Sequence, residues 1–475
     1  MSYLLGIDIG TTTITSVAVD ADSGQIVELA TTSNDARHND RPKGRSEWDA
    51  NRIISQAIEC VKNVVALLGP RAKQIAGIGM TGQQHGMVLV DKHLSPVSPY
   101  INWQDQRGNE PNAQGISLIE TLAERLGDDQ YEKHGCYLRT GFMNVTLHWL
   151  TANDQLPVGS RAAFIMDLVA SRLCHAPLVS DPTAAGSAGL LNIHTNRWDS
   201  DALKELNIPI SVLPEVSSVR DQVGTVTNDI AMMTGLPAGI PVFVPIGDNQ
   251  ASFLGSVADR HKQLSINVGT GGQVSAYSAT TGQHESLEVR PFPYGGFLLA
   301  NVGACGGRSF AALEDFFQAV ARDIFGIQPE RSAYERMKEL ADKTIASDTG
   351  LTCSPLFTGT RQDPSQRASW SGLSPENFTP ALMTRALLEG MADTFHEGFA
   401  AILSCGVQGI TEIVGAGNGI RENAVLQQCI ETTFNMQVRK PLQREEATLG
   451  AAITAAIGCG ILKDLSDSSR WIQYE

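Results

Sequence analysis

The sequence has a shortage of positive charge and has no run of apolar residues long enough to cross a membrane. Its 36 Lys and Arg residues face 51 Asp and Glu residues, which gives a net charge of −15. Nucleic-acid-binding surfaces are basic, so we expect no nucleic-acid partner. A spanning helix needs about 20 apolar residues in sequence, so we expect no membrane partner either. A hydrophobic content of 42% disfavours a disordered chain.

Cysteine pairs with metal-binding or redox spacing are also missing. The eight cysteines include no C-x-x-C pair, which removes the usual spacing of zinc and thiol-redox sites. We expect free, buried thiols in a reducing compartment. The N-terminus, M-S-Y-L-L-G-I-D, has no basic segment followed by an apolar run, so we predict no secretory signal and a cytoplasmic location. The P-loop sequence G-x-x-x-x-G-K-[ST] does not occur.

Glycine, by contrast, is abundant. The chain contains 45 glycines in 475 residues, whereas an average protein has about 7% glycine. This excess predicts many tight turns or close approaches of backbone to a ligand. Residues 447–462 carry no charge and are rich in Ala and Gly, which predicts a helix packed closely inside the protein. Length alone suggests about three domains of roughly 150 residues.

Two predicted hairpins repeat the same design. Strands at residues 4–9 and 14–20 surround the turn G-T-T-T, and strands at 264–268 and 273–277 surround G-T-G-G. The two segments align without a gap at an offset of 259 residues. We interpret them as a duplicated domain, which favours two lobes rather than three domains; two unrelated hairpins are the alternative.

The turns of these hairpins are suited to bind phosphate. Their glycines expose backbone N–H groups and their threonines add hydroxyl donors, which together form an anion site without a basic residue. Two such turns facing one another predict a clamp on the phosphates of a nucleotide. Asp8 stands beside the first turn, where a carboxylate repels polyphosphate unless a cation lies between them, so we predict Mg²⁺ at Asp8. Asn267 takes the equivalent place in the second hairpin.

A third glycine cluster, G-A-G-N-G at residues 415–419, lies between a predicted strand at 410–414 and a predicted helix at 422–434. Its G-x-G-x-G spacing differs from the dinucleotide fingerprint G-x-G-x-x-G, and it lies near the C-terminus, where no second half-sheet follows. A turn that lets an adenosine lie against the backbone therefore fits better than a dinucleotide site.

Polar side chains follow the small-residue strand predicted at residues 75–80. The segment T-G-Q-Q-H-G comes directly after it, and its Gln83 and His85 suit hydrogen bonding to a hydroxylated ligand. A purely structural histidine is the alternative. Trp103 follows soon after and is predicted to stack on the apolar face of a sugar, whereas we interpret Asp105 and Arg107 as a structural ion pair.

Asp248 stands where a predicted strand at residues 241–246 becomes a helix. Strand ends of this kind are the usual place for catalytic groups in α/β folds. An N-cap role is the alternative, and the two roles are compatible.

Taken in order, these motifs resemble the FGGY carbohydrate kinases, which are ATP-dependent sugar and polyol kinases. T-G-Q-Q-H-G is similar to the S-G-Q-M-H-G of ketose kinases, with Gln84 in place of Met. The other segments that carry the resemblance are D-I-G-T-T at 8–12, W-Q-D-Q-R at 103–107, S-D-P-T-A-A-G-S at 180–187, G-D-N-Q-A at 247–251, G-T-G-G at 269–272, G-A-G-N-G at 415–419 and E-E-A-T-L-G-A-A at 445–452.

The resemblance implies an α/β fold with two actin-like (ribonuclease-H-like) lobes from a duplicated domain and an active-site cleft between the lobes. Residues 1–245 would form the N-terminal lobe, with the sugar site and the first phosphate turn. Residues 246–475 would form the C-terminal, ATP-binding lobe, with the catalytic Asp at its start.

The implied reaction is ATP-dependent phosphorylation of the terminal hydroxyl of a ketose. The W-Q-D-x-R, G-D-x-Q-A-S and G-Q-x-H-G combination is most similar to sedoheptulokinases, which convert sedoheptulose to sedoheptulose 7-phosphate. Phosphorylation of a pentulose by a xylulokinase or ribulokinase is the alternative. The partners would be MgATP and the ketose, and the protein would be a monomer or homodimer.

The resemblance also implies residue roles. Asp248 would accept the proton of the attacking hydroxyl, and Asp8 would position Mg²⁺. The sugar would be bound by Gln83, His85, Trp103, Asp248 and Asn249, and ATP by Gly10, Thr11, Thr12, Gly269, Thr270, Gly271, Gly415, Gly417 and Asn418.

Two other classes share parts of this pattern. Actin-like and chaperone ATPases contain the same duplicated ATP clamp without a sugar substrate, and the sugar-site residues argue against them. A dinucleotide-dependent dehydrogenase built on residues 415–419 is the third reading.

Overall fold

The computed structural model describes residues 2–127, 129–328, 331–360, 363 and 365–475. The chain forms two compact units. Unit 1 comprises Met1–Ala258, Val289–Phe297 and Glu445–Gln473, and unit 2 comprises Asp259–Glu288, Leu298–Arg444 and Tyr474–Glu475.

Unit 1 contains most of the secondary structure. Its strands are β1 (Tyr3–Ile9), β2 (Thr13–Asp20), β3 (Ile26–Ser33), β4 (Glu47–Trp48), β5 (Ile75–Gly82), β6 (Val88–Val90), β7 (Tyr100–Ile101), β8 (Arg161–Ala163), β9 (Val179–Ser180), β10 (Leu191–Asn192), β11 (Arg197–Trp198), β12 (Glu215–Val216), β13 (Gln222–Thr225), β14 (Pro241–Phe243) and β15 (Ile246–Gly247). Its first nine helices are α1 (Ala50–Leu68), α2 (Leu118–Leu126), α3 (Gln130–His134), α4 (Met143–Ala152), α5 (Ile165–Cys174), α6 (Pro182–Ala185), α7 (Ser200–Glu205), α8 (Asn228–Thr234) and α9 (Asp248–Ser256).

The remaining elements run from residue 263 to the C-terminus. The strands are β16 (Gln263–Val268), β17 (Gly272–Ser278), β18 (Glu288–Pro291), β19 (Phe297–Ala304), β20 (Thr352–Ser354), β21 (Ser369–Ser371), β22 (Glu412–Ala416) and β23 (Val438–Arg439). The helices are α10 (Gly307–Phe325), α11 (Tyr334–Ala341), α12 (Pro380–Ser404), α13 (Asn418–Arg421), α14 (Ala424–Phe434) and α15 (Glu446–Gly458), of which α15 belongs to unit 1.

The main sheet of unit 1 has the strand order β13-β14-β5-β1-β2-β3, and β15 also pairs with β5. Strands β1 and β2 form the predicted hairpin, with Ile9 opposite Ile14 beside the turn. Strand β5 lies parallel to β1 on the other side, and both β14 and β15 run parallel to β5. The predicted strand at 241–246 is divided into β14 and β15, and Pro245, which has no N–H to donate to a ladder, stands between them.

A second sheet has the order β18-β19-β17-β16-β22-β23. Strands β16 and β17 form the second predicted hairpin, with Val268 opposite Gly272 at its turn. Strand β22 lies parallel to β16, in the position that β5 takes beside β1. The two units therefore repeat one arrangement, which confirms the predicted duplication and the actin-like α/β class.

Helix α15 explains why the division of the chain differs from the predicted boundary between residues 245 and 246. It is buried from Thr448 to Ile457, as its uncharged sequence predicted, and it packs against β1, β5 and α9 of unit 1. A Cβ on Gly79 of β5 would lie 1.8 Å from the carbonyl oxygen of Ala451, so only a glycine allows this approach. The segment 246–258 and the last helix therefore belong with the first sheet.

Helix α1 and the turn after it, Ala50–Gln74, form one segment that is long and apolar enough to cross a membrane. The expectation that no apolar run is long enough to cross a membrane is therefore corrected at this segment. Half of its most apolar window is buried, and α1 packs one face against β2 and β3. This burial is typical of a core helix of a sheet protein.

Candidate active site

Three strand ends bring predicted site residues to one edge of the first sheet. Asp8 lies opposite Thr81 in the β1–β5 ladder, and Thr81 lies opposite Ile246 in the β5–β15 ladder. Because these strands are parallel, their carboxyl ends meet at the same edge. The phosphate turn, the Gln83–His85 segment and Asp248 follow directly after these three strands.

Two carboxylates at this edge interact electrostatically. Burial, then the charges of Asp248 and Glu445, raise the pKa of Asp8 to about 7. The Oδ1 atom of Asp8 is buried and has no hydrogen-bond partner among the described residues. A negative charge held in this way lacks compensation, which is the condition under which a carboxylate binds a cation.

Burial also raises the pKa of Asp248 to about 6. The backbone N–H of Asn249 donates to Asp248 Oδ1 at 2.7 Å and opposes this shift. Asp248 is the first residue of α9, and Gly247 occupies the N-cap position, so the N-cap reading of Asp248 is wrong. Asp248 as a residue is only partly buried, and a backbone hydrogen bond from Gln84 also opposes the rise in the pKa of its carboxyl.

The donor set at this edge fits a magnesium ion that arrives with the nucleotide. Across the residues that the structure describes, no three His, Cys, Asp or Glu side chains form a metal-binding group. Mg²⁺ is usually held by one or two carboxylates together with substrate phosphates and water. The unpaired Oδ1 of Asp8 would supply one such ligand, directly or through water.

The first phosphate turn is partly used by the protein itself. The N–H of Gly10 donates to the Thr13 carbonyl at 3.0 Å, so it closes the hairpin rather than facing a ligand. The Thr11 hydroxyl donates to Gln83 Oε1 at 3.0 Å. The backbone N–H groups of Thr11 and Thr12 have no acceptor in the described part of the chain, and these are the donors left for phosphate.

Trp103 lies next to this turn. Its indole N–H donates to Thr11 Oγ1 at 3.0 Å, while 42% of the side chain is exposed. Gln83, in contrast, is buried and donates its own backbone N–H to the carbonyl of Ile9. The structure therefore joins two predicted sugar residues to a predicted phosphate residue through one hydroxyl.

His85 is held in a fixed orientation. Its backbone has a φ of +74°, and its ring stacks on Phe142 with 4.4 Å between centroids. Its backbone N–H donates to the Ser187 hydroxyl at 3.0 Å, and its Nδ1 lies 2.8 Å from the Ser187 carbonyl oxygen. A carbonyl only accepts, so Nδ1 carries a proton.

Two further segments have structural roles. Arg107 pairs with Asp105 at 2.7 Å and with Glu47 at 2.9 Å inside the protein, which confirms the predicted ion pair. Asp181 caps α6 through the Thr183 N–H at 2.8 Å.

Sequence reasoning missed Gln84 and Glu445. Gln84 Nε2 donates to the Thr183 carbonyl at 2.9 Å and to Gln250 Oε1 at 3.3 Å, and so joins the ends of β5 and β15. Glu445 precedes α15 and lies far from Asp8 in sequence, where no local pattern indicates its approach. Its acidic pair with Glu446 was the one signal that the sequence offered.

In unit 2, the second and third glycine clusters come together. The strands that precede them are parallel neighbours, with Asn267 opposite Ala416. A Cβ on Gly417 would lie 2.5 Å from both Asn267 Oδ1 and the Val268 carbonyl oxygen. Gly269, Thr270, Gly271 and Asn418 are exposed, whereas Gly415 is buried inside β22 and offers a ligand no surface.

The structure adds the start of α10 to these turns. The N–H of Gly307 donates to the Gly269 carbonyl at 2.9 Å, and the N–H of Arg308 donates to the Thr270 carbonyl at 3.0 Å. The N–H of Gly269 itself donates to Gly271 at 2.9 Å. Nothing in the sequence near residue 307 marked this helix start, because its partner lies 38 residues away.

Comparison with known proteins agrees with this geometry. Residues 3–255 match the N-terminal domain, and residues 264–459 the C-terminal domain, of the FGGY family of carbohydrate kinases. Human sedoheptulokinase is 28% identical over 94% of this chain and 96% of its own length. The xylulose kinase of Staphylococcus xylosus is 26% identical over 100% of this chain and 95% of its own length.

Comparison of the fold with solved structures also finds sugar kinases. The crystal structure of xylulose kinase from Rhodospirillum rubrum is 22% identical and superposes with a TM-score of 0.88, covering 100% of this chain and 93% of that one. With both family domains matched in order, the chain belongs to the FGGY family of carbohydrate kinases and is a sugar kinase.

Proposed function

We propose that this protein transfers the γ-phosphoryl group of ATP to the terminal hydroxyl of a ketose, with sedoheptulose as the first candidate and xylulose or ribulose as alternatives. The observation that carries the proposal is the meeting of Asp8 and Asp248 at adjacent strand ends beside His85. The W-Q-D-Q-R and G-D-N-Q-A segments and the human sedoheptulokinase relative support the seven-carbon sugar.

Asp248 acts as the general base in this proposal. Phosphoryl transfer depends mainly on positioning and charge neutralisation, and the base only has to accept the hydroxyl proton as the oxygen attacks phosphorus. A carboxylate with a pKa raised to about 6 by burial is ionised at neutral pH and is more basic than an ordinary aspartate. The backbone N–H groups of Asn249 and Gln84 hold the Asp248 carboxylate in place to receive the proton of the sugar hydroxyl.

Asp8 and the turns bind the nucleotide in this proposal. A Mg²⁺ ion bound with ATP would supply neutralisation of the phosphate charge, and Asp8 is the residue that would hold it. The free N–H groups of Thr11 and Thr12 donate to phosphate oxygens. In unit 2 the exposed residues of 269–271 and Gly417–Asn418 are assigned to the phosphate and adenosine parts of ATP.

The sugar is oriented by the side chains of Gln83, His85, Trp103 and Asn249. The His85 ring is held by the Ser187 carbonyl at Nδ1 and by stacking on Phe142, and it is assigned to hydrogen bonding with a sugar hydroxyl. Trp103 offers its exposed indole face for stacking on the C–H face of the sugar. The cytoplasmic location and the monomeric or homodimeric state stay predictions from sequence.

The experiment is a set of initial rates with MgATP and ketoses of five to seven carbons, measured by ADP release. We expect ADP release to depend on the sugar and kcat/KM to be highest with sedoheptulose. ADP release indifferent to every sugar would instead support an ATPase. Replacing Asp248 by Asn should lower kcat by about 100-fold or more while ADP binding is retained, whereas near-normal turnover would remove Asp248 from the role.

A further inference from the structure

Unit 1 contains a second cavity, none of whose lining residues belongs to the candidate active site. The cavity has a volume of about 720 Å³. We name it the Arg161 pocket, and define it by Lys92, Leu94, Arg161, Arg172, Ile230 and Met233. Its walls come from the loop after β6, the start of β8, the end of α5 and the start of α8.

Three cations of this pocket have no carboxylate partner. Arg161 begins β8 opposite Val90, and Arg172 lies in the last turn of α5, where its Nη1 donates weakly to the Leu94 carbonyl at 3.4 Å. Lys92 is exposed on the loop between β6 and β7. In the part of the chain that the structure describes, no Asp or Glu forms an ion pair with any of the three.

The pocket wall also carries two carboxylates, and neither forms an ion pair with the two arginines. Asp91 Oδ1 accepts the backbone N–H groups of His93 at 2.8 Å and Ser95 at 2.9 Å, and so caps its own loop. Asp229 Oδ2 lies 3.2 Å from His175 Nε2. The pocket therefore carries three cations against two carboxylates, an excess of positive charge on a chain whose net charge is −15, and the charge of Lys92 helps to lower the pKa of Asp91.

The apolar part of the pocket lies beside these cations. Leu94, Ile230 and Met233 line it, and about half of the Met233 side chain is exposed. The Asp91 hydrogen bonds fix the loop that carries Lys92 and Leu94, so the two kinds of surface are held together before any ligand binds. A pre-formed site loses less conformational entropy on binding.

We propose that the Arg161 pocket binds an organic phosphate, whose phosphomonoester group contacts Lys92, Arg161 and Arg172 and whose carbon skeleton packs on Leu94, Ile230 and Met233. Guanidinium groups match the geometry of phosphate oxygens, and a phosphomonoester offers the two arginines more acceptor oxygens than a carboxylate does. The proposal does not depend on which sugar is phosphorylated, since no residue of the pocket takes part in that reaction.

The test titrates phenyl phosphate, a phosphomonoester with an apolar body, into the full-length protein by calorimetry. Excess MgADP blocks the nucleotide site, and no sugar is present. The comparison uses wild type, an Arg161→Gln/Arg172→Gln variant and, as a matched control, Arg197→Gln, which changes an exposed arginine of β11 outside the pocket. We expect the double variant to bind about tenfold more weakly or worse, the control to bind like wild type, and benzoate to bind more weakly than phenyl phosphate.

Other outcomes overturn the proposal. These are the absence of saturable binding to wild type, equal affinity in the double variant, an equal loss in the Arg197→Gln control, and benzoate binding as tightly as phenyl phosphate. Should the double variant fail to fold by circular dichroism, Arg161→Gln alone decides in the same way. Kinase activity without phenyl phosphate should be unchanged in the variants, so a failure here is distinct from a failure of the proposed kinase reaction.

Discussion

The indole N–H of Trp103 donates to the hydroxyl of Thr11, with 3.0 Å between Nε1 and Oγ1. The same hydroxyl donates to Gln83. The Thr11 hydroxyl therefore donates its hydrogen to another residue of the protein. Only the backbone N–H of Thr11 remains as a donor to a phosphate. The contact joins a residue assigned to sugar stacking to a residue assigned to ATP binding. A substitution of Trp103 should therefore also alter the binding of ATP.

Replacing Trp103 by Phe tests this coupling, because the new ring keeps a stacking face but lacks the N–H donor. We expect kcat/KM for the sugar to fall about two- to tenfold, the range expected for one hydrogen bond. We also expect the KM for ATP to rise, since the Thr11 hydroxyl loses one of its two partners. Steady-state kinetics with each substrate varied measures both, and an unchanged KM for ATP would contradict the coupling.

Replacing Gly271 by Ala tests whether the second glycine turn, residues 269–272, contacts ATP. A Cβ built there has no described atom within 4 Å, and the residue does not need a left-handed φ. Folding should therefore be unaffected, and a higher KM for ATP would come from the ligand meeting the new methyl group.

Gly417→Ala is the matched comparison for that variant. Its φ of +79° and the 2.5 Å approach of a Cβ to the Val268 carbonyl predict a loss of stability of about 1 kcal/mol or more. Thermal melting and ATP kinetics of both variants separate the two effects. A Gly271→Ala variant that melts early, or that keeps the wild-type KM for ATP, would remove this turn from the ATP site.

The pH dependence of kcat/KM should report the buried carboxylates. Asp248 must be ionised to accept a proton, and burial raises its pKa to about 6. Activity should therefore be lost as the pH falls through about 6, instead of near the ordinary aspartate value of about 4. Because Asp8 and Asp248 interact, the apparent pKa values belong to the pair.

The variant Glu445→Gln tests whether the acid limb of the pH profile moves to lower pH. Removing that charge takes away one of the causes that raise the pKa of Asp8, so the acid limb should move to lower pH. Glu446→Gln, one residue along, is the control and should leave the limb closer to its wild-type position. A limb near pH 4 in wild type, or equal shifts in both variants, would contradict the assignment.

Asp167 should make the stability of unit 1 depend on pH. Burial raises its pKa well above the ordinary value, with a further contribution from the charge of Asp181 and against the opposing effect of the nearby Ser180 hydroxyl. A carboxyl whose folded pKa is raised favours the unfolded state increasingly as pH rises above the unfolded value of about 4. The stability gained by Asp167→Asn relative to wild type should therefore grow between about pH 5 and pH 8.

Urea unfolding at the two pH values measures this difference. Glu120→Gln is the control, because the Ser117 hydroxyl lowers the pKa of Glu120 at the start of α2. Its contribution is lost only as pH falls through that lowered value, so its effect should stay constant over the same range. A constant difference for Asp167→Asn would show that the carboxyl is not held neutral.

Much of the fold was predictable from local patterns. Both hairpins, the helix near the C-terminus and the strand-to-helix step at Asp248 follow from alternating apolar residues and turn glycines, which act over a few neighbouring positions. The division of the chain into its two units was not predictable from local patterns, because α15 packs on β1 and β5, more than 360 residues earlier in the sequence. Contacts of that length leave no local periodicity.

The same contrast holds for the site. Sequence by itself determined the family and indicated the candidate residues, since the turns and strand ends around Asp8, His85 and Asp248 are local features. Tertiary structure alone decided what each of these groups is free to do. It placed Glu445 beside Asp8, committed the Thr11 hydroxyl to Gln83 and buried Gly415 within its strand. Hydrogen bonds, burial and charge interactions arise between atoms close in space, and only the folded chain brings those atoms together.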